Sequence, residues 1–377
     1  MAAIRLLALI RHYPIGYDRI VSAAIHNRVQ DYRATQGWSQ GELARRSGLS
    51  RTAISAVETD RVVPSTAAAL ALAAAFDCRV EDLFSLGKAT HRGEPEWAWP
   101  SPTDPCRFWR AVVAEQTWLY PVERTFVGTL PPDGVLKASA YEFRAHSDPD
   151  HTLVLAGCDP AVGLLAAELA RSAGVRLLPL IRSSRQALDL LCRGVVHVAG
   201  LHLQDHDRPG GNERAVRQTL GSGYTLLRVT RWQEGLALAP GLGISTIRQA
   251  VSANLRWVGR EPGSGARRCL DSILKDHHPL PKGYNHIAVD HTGVVETIRS
   301  GWAQAGVCVR LSAAEAGLDF LVAREEDYDL CYRSDMEHDP RIQALVRGIR
   351  SHAFRRSVGE LPGYHTTMTG EQTRLLA

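Results

Sequence analysis

Apolar positions at helical spacing open the legible part of the chain. From Ile25 to Phe84 they recur three and four residues apart between short polar breaks, which predicts several short helices packed as one unit over residues 25–86. Residues 87–105 lose that period and hold four prolines, the pattern of an extended linker. Short apolar and aromatic runs broken by turn signals such as PPDG follow over 106–149. They predict a small β-rich connector whose Trp109, Trp118 and Phe126 need a surface to pack on. From residue 150 to 360 the texture becomes strand, helix, strand: HTLVLAG, AVGLLAAELARSAG, VRLLPLI, SRQALDLLCRG and VVHVAGLHL, then TLLRVT, LALAP, GSGARRCLDSILKD, AGVCVR and LDFLVA. That alternation predicts parallel α/β sheets in two lobes. Residues 361–377 read as a tail. Residues 1–24 read as an N-terminal extension, because Arg5 and Arg11 interrupt its apolar run and no small-residue cleavage site follows.

Composition changes this picture little. A chain of 377 residues, 45% hydrophobic, supports more than one core. A net charge of +4 does not single out nucleic acid. No window offers the run of about 18 apolar residues that a spanning helix needs, so no membrane partner is expected. The seven cysteines are odd in number and never spaced C-x-x-C, which suggests neither disulfides nor a zinc knuckle but reduced thiols in a cytoplasmic protein.

The most specific signal lies in WSQGELARRSGLSRTAISAVETDRVVPS. Ser39 can cap a helix whose third position is Glu42, a capping box. Gly48 can end that helix with a positive φ. Ser50 then starts a second helix, with Ile54 and Val57 inward and Arg51, Thr52, Ser55 and Ala56 outward. Those outward positions are what a recognition helix offers to base edges. Residues 25–86 carry seven arginines and seven carboxylates, so a local basic face at Arg45, Arg46 and Arg51, or dimerisation, has to supply affinity. Glu58 and Arg61 read as structural or solvated. On these residues the segment resembles the Xre/Cro/C1 helix-turn-helix family. The resemblance implies a lambda-repressor-like all-α domain, a double-stranded DNA operator as partner, a phosphate contact at Gln40, and base reading by Arg51, Thr52 and Ala56.

In the second half, small or polar residues repeatedly start the helix after a strand, where unpaired N–H groups favour anions. The candidates are Cys158 and Asp159 (with Pro160 as first helical residue), Ser183 and Ser184, Arg260 with Ser264, Gly265 and Arg267, and His291 behind Asp290. His202 and His206 have zinc spacing but lie in a loop-like stretch, and His277 and His278 read as solvated, so no metal site is expected. There is no G-x-S-x-G elbow, no Walker A motif and no nameable nucleophile and base, so neither an enzyme nor a cofactor is expected. The segments HVAGLHLQ, RWQEGLALAPG, GREPGSGARRCLD and LDFLVAREEDYDLCYR resemble the periplasmic-binding-protein-like domain of molybdate-type sensors. The resemblance implies a type II solute-binding fold with a small-molecule effector between its lobes, crossing strands near 225–231 and 320–324, and a ligand-responsive regulator acting as a homodimer. A molybdate-like oxyanion is the effector it implies. Ala266 and Asp290 stand where relatives carry threonine, which leaves an organic or cationic ligand as the alternative.

Overall fold

The structure is a computed structural model that describes residues 25–59, 61–86, 94–144, 148–203, 210–275, 284 and 286–376. The chain divides into two compact units, residues 1–91 and 92–377.

The first unit opens with β1 (Ile25–Asn27) and continues through α1 (Val29–Thr35), α2 (Gln40–Ser47), α3 (Arg51–Glu58), α4 (Thr66–Phe76) and α5 (Val80–Leu83) to β2 (Phe84–Leu86). Val29, Leu43, Ile54, Val57, Leu72, Phe76 and Leu83 form one core. Trp38 stacks on Phe76 at 5.5 Å. The serine caps are made: Ser39 Oγ accepts from the Glu42 N–H at 3.1 Å and Ser50 Oγ from the Ala53 N–H at 3.1 Å. Gly48 ends α2 at φ 69°. Only half of the expected capping box forms, since the Glu42 carboxylate turns to Arg45 and Arg46. The antiparallel pair β1–β2 closes the unit. At three residues each, those strands are too short to show a period.

In the second unit a five-stranded sheet comes first, ordered β3 (Glu96–Trp97), β5 (Gln116–Pro121), β4 (Cys106–Val113), β6 (Gly134–Lys137), β7 (Ala140–Phe143). Glu96–Trp97 lies within the stretch expected as linker. It joins the sheet because Trp97 meets Phe108 edge-on at 5.8 Å and the neighbouring Ala98 is buried. The surface that the connector aromatics need is the first α/β lobe: Ala98, Trp109, Ala111 and Tyr120 share a core with Val154, Leu178 and Leu188. Tyr120 Oη donates to Val195 O at 2.7 Å, and His197 bridges Val112 O to the Val154 N–H, both at 2.9 Å.

That lobe consists of β8 (Thr152–Gly157), α6 (Val162–Ala173), β9 (Arg176–Ile181), α7 (Ser184–Cys192), β10 (Val198–Leu201) and α8 (Gly211–Leu220). The chain crosses on β11 (Tyr224–Leu238) into the second lobe: α9 (Ile247–Ser252), β12 (Trp257–Arg260), α10 (Gly265–Leu274), β13 (His286–Ala288), α11 (His291–Arg299), β14 (Ala305–Val309) and α12 (Arg310–Glu315). It returns on β15 (Asp319–Arg333) to α13 (Pro340–Arg350), α14 (His352–Gly359), β16 (Tyr364–His365) and β17 (Gln372–Leu375). The sheet runs β13-β12-β14-β11-β15-β10-β8-β9, with β16 and β17 on β11. Within each lobe the outer strands are parallel, as the alternation predicts.

TLLRVT and LALAP are parts of one strand, β11, which pairs antiparallel with β15 from end to end. Its neighbour on the other side changes from β16, at Arg231 and Trp232, to β14, starting at Glu234. The crossing therefore falls a few residues beyond the expected 225–231, next to a bulge at Glu234/Gly235. Gly235 is obligatory there, since a Cβ would sit 2.1 Å from Leu321 O. The expected tail is folded, with Tyr364 buried against the first lobe.

Candidate functional site

On the first unit, α3 turns Ile54 and Val57 into the core and leaves Arg51 and Thr52 exposed, with Ser55 and Ala56 half-buried one turn on. Thr52 Oγ1 lies 2.9 Å from Ser50 Oγ. Arg45 and Arg46 both pair with Glu42 at 2.7 Å, and Arg46 covers the Trp38 ring at 4.2 Å. Arg45 and Arg46 thus share one carboxylate while staying exposed, and Arg51 adds a third exposed cation to the face. Gln40 Nε2 donates to Glu58 Oε2 at 2.9 Å, beside the Arg33–Glu58 pair at 2.5 Å. The Glu58 carboxylate is buried and structural, and it holds the Gln40 side chain at the start of α2.

In the second unit, buried polar side chains from both lobes gather at the midpoints of the two crossing strands. Strand register sets Trp232 opposite Glu326 and Glu234 opposite Arg324, so alternation puts all four on one face. Arg324 Nη2 lies 2.7 Å from Glu234 and 2.5 Å from Glu326. His202, at the end of β10, places Nδ1 2.8 Å from Glu326 Oε2 and Nε2 3.0 Å from Cys158 Sγ. From the second lobe, Arg260 Nη1 lies 3.2 Å from His291 Nδ1, and the His291 ring is 5.6 Å from His202. Trp232 stacks on Tyr328 at 4.6 Å. Cys158, His202, Glu234, Arg260, His291 and Glu326 are all at most 1% exposed.

The structure gathers part of the expected ligand set here and sends the rest elsewhere. Cys158, Arg260 and His291 are in the cluster. Asp159 does not cap the first turn in the way its sequence suggests: α6 starts later, at Val162, and Asp159 Oδ1 accepts from the Ala161 N–H at 2.9 Å and from Tyr364 Oη at 2.7 Å. Pro160 is therefore not the first helical residue. Ser183 caps α7, and Ser184 Oγ accepts from the His202 N–H at 3.1 Å, so both support the cluster from behind. Ser264 caps α10 through the Arg267 N–H. Gly265 does permit a close approach, but to His202, whose carbonyl would lie 2.2 Å from a Cβ there. Arg267 turns outward to Asp271 at 2.8 Å and covers the Tyr284 ring. Asp290 caps α11 through the Gly293 N–H at 2.6 Å. His206, His277 and His278 lie outside the described residues. Trp232, Glu234, Arg324, Glu326, Tyr328 and Tyr364 were not singled out from the sequence. For all but Tyr364, the signal was present as the polar runs TRWQE and REEDYD in the middle of two strands whose ends are largely apolar.

The electrostatics follow from enclosure. Burial opposes a charge on His202, but Cys158 and Glu326 outweigh it and hold its proton well above the usual range. Burial, Arg260 and His202 push His291 well below, so it is neutral. Burial and the adjacent Glu234 lift Glu326 to about 7, and burial lifts Asp159 to about 6. Among the described residues, Trp232 Nε1, Arg260 Nε, His291 Nε2, Glu234 Oε1 and Asp290 Oδ2 are buried without a hydrogen-bond partner. Such atoms cost about 1 to 3 kcal/mol each unless a partner arrives.

Residues 29–83 match the helix-turn-helix family model, and residues 166–350 match that of the PBP superfamily domain. The uncharacterized protein YvgK of Bacillus subtilis (strain 168) is 26% identical over 233 residues, 60% of this chain and 75% of its own length. The uncharacterized HTH-type transcriptional regulator YgzD of the same organism is 38% identical over 60 residues, 16% of this chain and 91% of its own length. Among solved structures, PhnD1 from Prochlorococcus marinus (MIT 9301), in complex with methylphosphonate, aligns with 14% identity and a TM-score of 0.42 over 58% of this chain and 94% of that one. No helix among the described residues is long and apolar enough to cross a membrane.

Proposed function

From the premise that this chain belongs to the helix-turn-helix family of transcriptional regulators and carries a PBP superfamily domain behind that reader, we propose that it is a cytoplasmic, homodimeric regulator switched by a small ligand bound between the two lobes. The observation that carries the reading is the set of buried, unpartnered polar atoms at the crossing, with Trp232 on a crossing strand and Arg260 and His291 on the second lobe. Groups from separate elements that lack partners at one point define a site that a polar ligand completes.

A small oxyanion of the molybdate type fits the N–H donors of Arg260, His291 and Trp232. A guanidinium can only donate, and Arg260 is 0% exposed. Glu234 lies in the same cluster, 3.9 Å from His202 Nδ1, so such an anion brings a proton with it. Ligand-driven closure alters the geometry of a DNA-bound dimer in which Arg51, Thr52, Ser55 and Ala56 face the bases. Two-fold symmetry then gives a palindromic operator with half-sites about one helical turn apart.

Thermal shift of the full chain against molybdate, tungstate, sulfate and phosphate tests the ligand. Binding at about 100 times Kd adds roughly 2.7 kcal/mol, and Arg260→Ala abolishes it. Competition between operator and random DNA tests the reader: Arg51→Ala lowers the preference by about 1 to 3 kcal/mol. Equal loss on both DNAs sinks the assignment of α3.

A further inference from the structure

The geometry points to an acyl-transfer centre in this same pocket, with Cys158 as nucleophile, His202 as its base and Glu326 as the group that orients His202. The inference rests on the reading of the inter-lobe space as a ligand site. Three groups from three separate segments fall in line: Cys158 Sγ to His202 Nε2 at 3.0 Å, and His202 Nδ1 to Glu326 Oε2 at 2.8 Å. Arg324, 2.5 Å from Glu326, fixes the far end. A nucleophile within reach of a base that a third group orients is the recurring arrangement of covalent catalysis.

A metal ion is the rival for these residues, because ligand atoms of Cys158, His202 and His291, and likewise those of His202, Glu234 and Glu326, lie within 4.8 Å of one another. In the second set Arg324, 2.7 Å from Glu234 and 2.5 Å from Glu326, already supplies the cation, and the tautomer of His291 decides against the first. Arg260 Nη1, 3.2 Å from His291 Nδ1, can only donate. Nδ1 therefore accepts, the proton of the neutral ring sits on Nε2, and no lone pair remains there for a metal. The same tautomer makes Nε2–H an unpartnered buried donor. With Arg260 Nε and Trp232 Nε1, also unpartnered, it supplies what an oxygen gaining negative charge requires.

The substrate class is a small uncharged acyl compound, an ester or amide, since Cys158 is 1% exposed and the lobes must close around what it attacks. The proton of the Cys158–His202 contact rests on His202 Nε2, so the sulfur forms a bond to the carbonyl carbon while the π pair moves onto oxygen. Collapse re-forms the carbonyl and breaks the bond to the leaving group, which takes the proton from His202. Water, deprotonated by His202, attacks the thioester, the acid departs, and the thiol regains its proton. One water is consumed, and no oxidant or reductant is needed.

The test uses the full chain with p-nitrophenyl acetate in a Cys192→Ser background, because Cys192 is exposed. Expected are one equivalent of p-nitrophenolate released in a burst and an acetyl group on the Cys158 peptide. Cys158→Ala removes both, and Glu326→Gln slows acetylation roughly 10- to 100-fold and moves its pH profile. Acetylation no faster than that of free cysteine, or the same rate and profile in Glu326→Gln, overturns the proposal. So does stoichiometric binding of zinc chloride that Cys158→Ala abolishes. The melting shift with inorganic oxyanions, measured on Cys158→Ala, separates the two readings. If the shift persists where acetylation never occurs, the sensor stands without catalysis; if the shift is absent from every variant and the parent chain, the sensor reading itself falls.

Discussion

Replacing Glu58 with alanine tests how the DNA-reading unit is held together. The Glu58 side chain is 2% exposed and accepts from Arg33 Nε at 2.5 Å, Arg33 Nη2 at 3.0 Å and Gln40 Nε2 at 2.9 Å. Removing one partner of a buried ion pair costs about 3 to 5 kcal/mol, because the other charge is left behind. Arg33 is 16% exposed and keeps its bond to Trp38 O at 2.8 Å, so the cost falls just below that range, at about 2 to 3 kcal/mol. For a unit of this size each kcal/mol moves Tm by about 4 to 8 °C, giving a fall of roughly 10 to 20 °C. Hydrogen exchange across α1 to α3 in the full chain reads this locally, with Glu58→Gln, which keeps an acceptor, losing about half as much protection. The same variant frees Gln40 and weakens binding to operator and random DNA alike. Unchanged protection in Glu58→Ala, or a loss under about 0.5 kcal/mol, would refute the reasoning, since that is the range of ordinary surface changes.

Two further outcomes follow from the second unit. Burial, then Arg341, lowers His197 from 6.5 to about 3, because Nδ1 must accept from the Val154 N–H. A depressed folded-state pKa means that its stabilisation is complete above about 6.5 and is lost as pH falls toward about 3. Urea midpoints should drop over that window, by roughly 4 to 5 kcal/mol at most; His197→Asn flattens the slope, and an identical slope in both proteins rejects the assignment. Gly235→Ala puts a Cβ 2.1 Å from Leu321 O and 2.9 Å from Ala323 N, costing about 2 to 3 kcal/mol, and an unmoved unfolding midpoint counts against the tight bulge.

Both folds were legible because each announces itself locally. Serine caps, Gly48 and the Ile54/Val57 spacing need no tertiary information, and the strand–helix alternation after residue 150 needs little. What the sequence hid depends on partners distant along the chain. His202 was weighed with His206 as a metal pair because the two are close in sequence, whereas its contacts are Cys158 and Glu326. The crossing strands read as interrupted because the polar stretches 230–234 and 324–329 separate their apolar ends, and the cluster residues lie in those stretches. Gly265 suggested room for a ligand, and the room is taken by a histidine from the other lobe. Arg267 sat one helical turn from the right place but facing Asp271.

The long pairing of β11 with β15 has a mechanical consequence. Trp232, Glu234, Arg324 and Glu326, the residues proposed to meet the ligand, sit where β11 exchanges β16 for β14 as its second neighbour. Under the proposed closure, ligand and pivot coincide, so a small adjustment at these strands is enlarged at the lobes' outer helices.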